Sequence, residues 1–192
     1  MIDKRLLSIP NALSIARLLL LLPLWYLAIE GLSIALAVGL LIAVLTDILD
    51  GTLARKLDLV SEIGSKLDSL ADNLMKPSVV AWLFILEPDL YPNHSLALKI
   101  ALVFYFTSLI IGLIKFRRFG NLHLYSGKVG SVFQYLFVFT TLLFPGYNRS
   151  LFYLAVMTFT ITYLEALLIQ LTRSEVNEHI GSILLNWLKP SF

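Results

Sequence analysis

Four aspartates are set into apolar sequence long enough to cross a membrane, and whatever this chain folds into must dispose of their charge. They fall in two runs: Asp47-Ile48-Leu49-Asp50-Gly51-Thr52-Leu53-Ala54-Arg55 and, eight residues later, Gly64-Ser65-Lys66-Leu67-Asp68-Ser69-Leu70-Ala71-Asp72. A carboxylate at the centre of a membrane helix costs roughly 2.5–3.5 kcal/mol on insertion scales. Four in close succession also repel one another unless a cation lies among them. The pattern therefore predicts a metal site at a membrane boundary.

The spacing specifies how such a site would be built. On a helix, Asp47, Asp50, Gly51, Ala54 and Arg55 share one face, at i, i+3, i+4, i+7 and i+8. Gly64, Asp68 and Asp72, at i, i+4 and i+8, share another. Two antiparallel helices joined across the polar segment 56–63 can turn these faces together, giving an oxygen-rich cage suited to a hard cation such as Mg²⁺ or Mn²⁺. Zinc is a poor match, because the chain has no cysteine and its three histidines are scattered. The residues around the carboxylates suit a phosphate anhydride. Gly51 lets a ligand approach the backbone, Ala54 leaves room beside it, and Arg55 offers a forked donor to phosphate.

The rest of the sequence predicts an all-α integral membrane protein forming a single domain over residues 1–192. Hydrophobic residues make up 58% of the 192, above the roughly 45–50% of a soluble domain. Six transmembrane helices are expected, over about 12–29, 32–53, 64–86, 96–116, 129–143 and 151–171, most near the ~20 residues that a span requires and the fifth shorter. Lys4, Arg5, Arg55, Lys56, Lys66, Lys115, Arg117, Arg118, Lys128, Arg173 and Lys189 collect on one side, and Lys99 and Arg149 on the other. The positive-inside rule then puts both termini and the aspartates on the cytoplasmic face of an inner or plasma membrane. Ile2, Leu6 and Ile9 at one end, and Val176, Ile180, Ile183, Leu184, Trp187 and Leu188 at the other, repeat at helical spacing. They read as amphipathic helices lying in the interface. No feature points to nucleic acid.

The full pattern D-x2-D-G-x2-A-R-x8-G-x3-D-x3-D resembles the signature of the CDP-alcohol phosphotransferase family at every fixed position. The resemblance implies a CDP-linked donor held by two divalent cations, with Asp47, Asp50, Asp68 and Asp72 as metal ligands. It places Gly51, Ala54, Arg55, Ser61 and Gly64 at the nucleotide, makes Asp72 the base that activates the acceptor hydroxyl, and implies a homodimer. A further run, Pro10-Asn11-Ala12-Leu13-Ser14-Ile15-Ala16-Arg17, resembles the opening of phosphatidylglycerophosphate-synthase-like members. There Asn11 and Ser14 would help bind the cytidine diphosphate. Gly127-Lys128-Val129-Gly130-Ser131-Val132-Phe133-Gln134 resembles a second segment of that group. The sequence departs from it after the third and fourth aspartates, where Ser69 and Asn73 stand in place of the expected Pro and Lys.

This reading makes the chain an enzyme that joins CDP-diacylglycerol to a polar alcohol. Arg17, Arg117, Arg118 and Lys128 are candidate ligands for an anionic acceptor such as glycerol 3-phosphate; inositol phosphate, serine and phosphatidylglycerol remain open. So do a CDP-aminoalcohol donor acting on diacylglycerol and, outside enzymes, a divalent-metal transporter. Several residues also have simpler readings. Arg17, Lys115, Arg117 and Arg118 can snorkel to headgroups; Lys76 can pair with the cage or reach the interface; Pro77 can kink its helix. Glu165 is expected in a helix–helix pair. His94, His123 and His179 are expected in loops or at the interface, and Trp25, Tyr26, Tyr91 and Tyr147 in an interfacial belt.

Overall fold

The computed structural model describes residues 9–56, 62–116 and 124–172. Among these residues the chain is all helical, with six helices and no strand: α1 (Ile9–Ile29), α2 (Ser33–Lys56), α3 (Glu62–Leu86), α4 (Leu90–Phe116), α5 (Tyr125–Leu143) and α6 (Arg149–Thr172). Helices are the expected outcome for such sequence, since a helix satisfies its own backbone groups where no water can. Three of them, over Asn11–Ile29, Leu90–Lys115 and Arg149–Thr172, are long and apolar enough to cross a membrane, making this a membrane-embedded protein. Among the described residues the others do not reach that measure. Helix α2 is apolar over Ser33–Leu49, where its described side chains end. Helix α3 bears Lys66, Asp68, Asp72 and Lys76, and α5 carries Lys128 and Gln134 among its apolar residues. The amphipathic segments expected at both ends of the chain lie outside the described residues, apart from Ile9, where α1 begins.

The chain forms two compact units, residues 1–88 and 89–192. In the first, α1 packs against both α2 and α3. The turn from α1 to α2 is short because a Schellman motif closes α1: Leu32 N–H donates to Leu27 C=O at 2.9 Å and Gly31 N–H to Ala28 C=O at 3.2 Å. Gly31 has φ +70°, a left-handed conformation that other L-residues rarely adopt. Leu21, Leu24 and Ala28 on α1, and Leu36, Leu40 and Ala43 on α2, are buried at helical spacing and form the seam. Gly39 lets the helices come close, because a Cβ there would collide with the Leu24 side chain. On α3, Ser78 accepts a hydrogen bond from the Trp25 indole at 3.1 Å, and Trp25 meets buried Trp82 edge to face at 6.0 Å. Trp25 is therefore a packing residue as much as an interfacial one.

In the second unit, α6 packs against both α4 and α5. Asn148 caps α6, its Oδ1 accepting from the N–H groups of Ser150 and Leu151 at 3.0 and 3.1 Å. Gly127 and Gly130 face Thr162 and Thr158 of α6, so the glycines of this run permit close helix packing. Two expectations are corrected here. Helix α4 starts at Leu90, before the expected 96, and changes direction at His94 (φ −131°, ψ 21°). Pro92 does not prevent this start because the first turn of a helix needs few of its own N–H groups. His94, expected in a loop or at the interface, is instead buried. Its Nδ1 and Nε2 lie 3.0 and 3.1 Å from the hydroxyls of Tyr153 and Tyr147, and its ring lies 4.4 Å from that of Phe152.

Candidate metal centre

The apolar seam of the first unit turns polar toward one end, and there the site forms. Stepping back along α1 from Leu24 and Leu21, the same face offers Arg17, Ser14 and Asn11, which are 3%, 3% and 1% exposed. Stepping forward along α2 from Leu40 and Ala43 brings Asp47 to the seam. Helix α3 contributes Asp68 and Asp72, one turn apart, flanking fully buried Ala71. Helix periodicity, with α1 packed against both α2 and α3, thus brings one cation and three carboxylates from three helices to one place.

The geometry is tight. Arg17 Nη1 donates to Oδ1 of Asp47 at 2.5 Å, of Asp72 at 3.2 Å and of Asp68 at 3.3 Å. The Arg17 side chain is 2% exposed, whereas those of Asp47, Asp68 and Asp72 are 40%, 48% and 38% exposed. Each carboxylate therefore meets Arg17 and is also partly exposed to solvent. Lys76, one turn past Asp72, places its Nζ 3.2 Å from Asp72 Oδ2. That ion pair is exposed and one-sided, so it adds little beyond orienting a carboxylate oxygen.

One oxygen from each of Asp47, Asp68 and Asp72 lies within 4.8 Å of the others. A hard divalent cation binds oxygens at about 2.0–2.6 Å, so two oxygens of one coordination sphere stand at most ~4–5 Å apart. The three carboxylates match that span, and their donor type suits Mg²⁺ or Mn²⁺. The residues fit the cation.

The remaining candidates fall as follows. Asp50, Gly51, Ala54 and Arg55 continue α2 beyond Asp47 at i+3, i+4, i+7 and i+8, with side chains outside the described residues. Gly64 lies half-buried one turn before Asp68 on α3. Ser61, Arg117 and Arg118 lie outside the described residues. Lys128 is exposed in the second unit, its Nζ 5.4 Å over the Tyr125 ring. Lys115, whose simpler reading is a headgroup anchor, donates to the C=O of Gln170 at 2.6 Å near the end of α6. Sequence reasoning brought Arg17 forward only as an acceptor ligand or a snorkelling side chain. Its helical register with Ser14 and Asn11 was legible, but its meeting with three aspartates depends on how the helices pack.

The model of the family described as CDP-alcohol phosphatidyltransferase matches residues 7–164. No curated protein and no solved structure shows significant similarity to the chain. The match spans all three helices of the first unit and most of the second, and the chain belongs to this family. It is accordingly a transferase of the phosphatidyltransferase type, and the family uses divalent metal ions.

Proposed function

We propose that this family member transfers a phosphatidyl group from CDP-diacylglycerol to a polar alcohol, with glycerol 3-phosphate as the best-fitting acceptor, and releases CMP. The observation that supports this most is the convergence of Asp47, Asp68 and Asp72 within 4.8 Å. In this reading Asp47, Asp50, Asp68 and Asp72 hold two divalent cations, Mg²⁺ or Mn²⁺. When bound, these cations neutralise the pyrophosphate oxygens and make CMP a better leaving group.

The chain's own residues do the rest. Gly51, Ala54, Arg55, Ser61 and Gly64 receive the nucleotide end, joined by Asn11 and Ser14 from α1. Arg55 holds phosphate oxygens as a bidentate fork. Asp72 takes the proton of the acceptor hydroxyl through a carboxylate oxygen. That hydroxyl oxygen forms its bond to the phosphorus carrying diacylglycerol as the bond from that phosphorus to CMP breaks. The proton ends on Asp72 and the electron pair on CMP. All six helices cross the membrane as one domain, with the site and both termini cytoplasmic, and the protein acts as a homodimer.

Two features support an anionic acceptor and the phosphatidylglycerophosphate-synthase-like subtype. The buried Asn11, Ser14 and Arg17 share the α1 face that meets the aspartates. Arg117, Arg118 and Lys128 add basic charge around the start of α5. The test supplies purified protein and CDP-diacylglycerol with glycerol 3-phosphate, inositol phosphate, serine or phosphatidylglycerol, and measures CMP release and the lipid product. Glycerol 3-phosphate should be used best. Lys128→Ala should raise its KM roughly ten- to hundredfold, the worth of one charged hydrogen bond, with little change in donor KM. Efficient use of serine with no use of either phosphorylated acceptor would contradict the anionic-acceptor reading.

A further inference from the structure

We infer that Arg17 is an internal counter-cation that competes with the divalent cation for Asp47, Asp68 and Asp72, and so sets the metal affinity of the site. This inference rests on the proposed metal-dependent function. Its basis is a coincidence of positions. A single guanidinium nitrogen, Arg17 Nη1, lies 2.5, 3.2 and 3.3 Å from one oxygen of each carboxylate. A divalent cation held by those three oxygens would have to take them from this nitrogen. The two positive charges are too close to share the same oxygens without repulsion.

The burial pattern gives the competition its direction. Arg17 is almost fully buried, while the three carboxylates are partly exposed to solvent. A charge removed from water is costly unless it is paired. Arg17 needs these carboxylates, and they need a cation, because three negative side chains this close repel one another. Lys76 is not an equivalent candidate: its side chain is 48% exposed, and among the described residues it pairs with Asp72 alone, through the other oxygen. Arg17 therefore holds the carboxylates of α2 and α3 together before metal arrives and must withdraw its Nη1 when metal takes the same oxygens. Its withdrawal leaves a forked donor beside the metal, facing the place where the phosphates of the donor are proposed to lie. Arg17 is thus a positioning residue that links metal entry to anion binding.

The test is a Mn²⁺ titration of full-length protein in detergent, with free Mn²⁺ read by electron paramagnetic resonance and Tm measured in parallel. Wild type is compared with Arg17→Gln and Arg17→Lys. Removing a competitor worth one charged hydrogen bond should lower the Mn²⁺ Kd roughly ten- to hundredfold in Arg17→Gln. Arg17→Lys should lower it by less, because lysine retains the charge but not the fork. In EDTA the Gln variant should have a lower Tm than wild type, and saturating Mn²⁺ should recover most of that loss. An unchanged or weaker Mn²⁺ Kd in Arg17→Gln, with wild type binding normally, overturns this inference alone. So does a Gln variant that fails to fold even in saturating Mn²⁺. Absence of Mn²⁺ binding in wild type overturns both this inference and the metal-dependent function on which it rests.

Discussion

A carboxylate that binds metal and one that accepts a proton are chemically the same group, so position alone separates their roles. Asp72 lies where both are possible: it accepts from Arg17 through Oδ1 and pairs with Lys76 through Oδ2. Asp72→Asn preserves shape and removes basicity. It should cut CMP release by about 10²–10⁴-fold, the typical worth of a positioned base. CDP-diacylglycerol should still bind in Mg²⁺, as an equilibrium binding measurement would show; turnover near the wild-type rate would assign the proton elsewhere. At this scale the sequence was informative about the aspartates, because charge in apolar sequence is conspicuous and helix spacing orders it. It was less informative about Arg17 and His94. Arg17 follows the aspartates' logic only once α1 lies between their helices. His94 is buried because two tyrosines and a phenylalanine from the start of α6 and the turn before it close around it, a meeting between residues more than fifty positions apart that no local pattern announces.

The helices themselves were largely legible, since apolar length and turn residues mark them. The expected ends of α1, α2, α3, α5 and α6 fall within a few residues of those found, whereas Pro92-Asn93 concealed the first turn of α4. What the sequence did not show was the order of packing. The two aspartate helices were expected to turn their carboxylate faces together; beyond that expectation, α1 packs against both and supplies a cation among Asp47, Asp68 and Asp72. The α1–α2 seam depends on small residues, which gives a direct test. Gly39→Leu forces a side chain into Leu24 and should destabilise the protein by about 1–3 kcal/mol, the usual cost of overpacking. Thermal unfolding in detergent should show a lower Tm; an unchanged Tm would mean that α1 and α2 do not approach as described. His94→Ala should also lower Tm, because it removes two hydrogen bonds and a stacked ring between α4 and the α6 region.

For the whole molecule, the chain is a membrane-embedded transferase with an aspartate cluster from α2 and α3 that could hold a metal ion. The proposed orientation can be checked readily because the chain contains no cysteine. Single-cysteine variants at Asn148, before α6, and at Lys56, at the end of α2, should behave oppositely in intact cells. A membrane-impermeant maleimide should label Asn148→Cys from outside and Lys56→Cys only after lysis, and the reverse pattern would place the site on the outer face.

CMP release reports whether the clustered aspartates hold a divalent cation for phosphatidyl transfer. Purified wild type, Asp47→Asn, Asp50→Asn, Asp68→Asn and Asp72→Asn would each be assayed with CDP-diacylglycerol and glycerol 3-phosphate, in Mg²⁺ and in EDTA. Wild type should release CMP in Mg²⁺ and not in EDTA, and all four variants should show only background release at near-normal yields of folded protein. Equal release by wild type in EDTA and in Mg²⁺ would rule out a metal-dependent transfer at these aspartates.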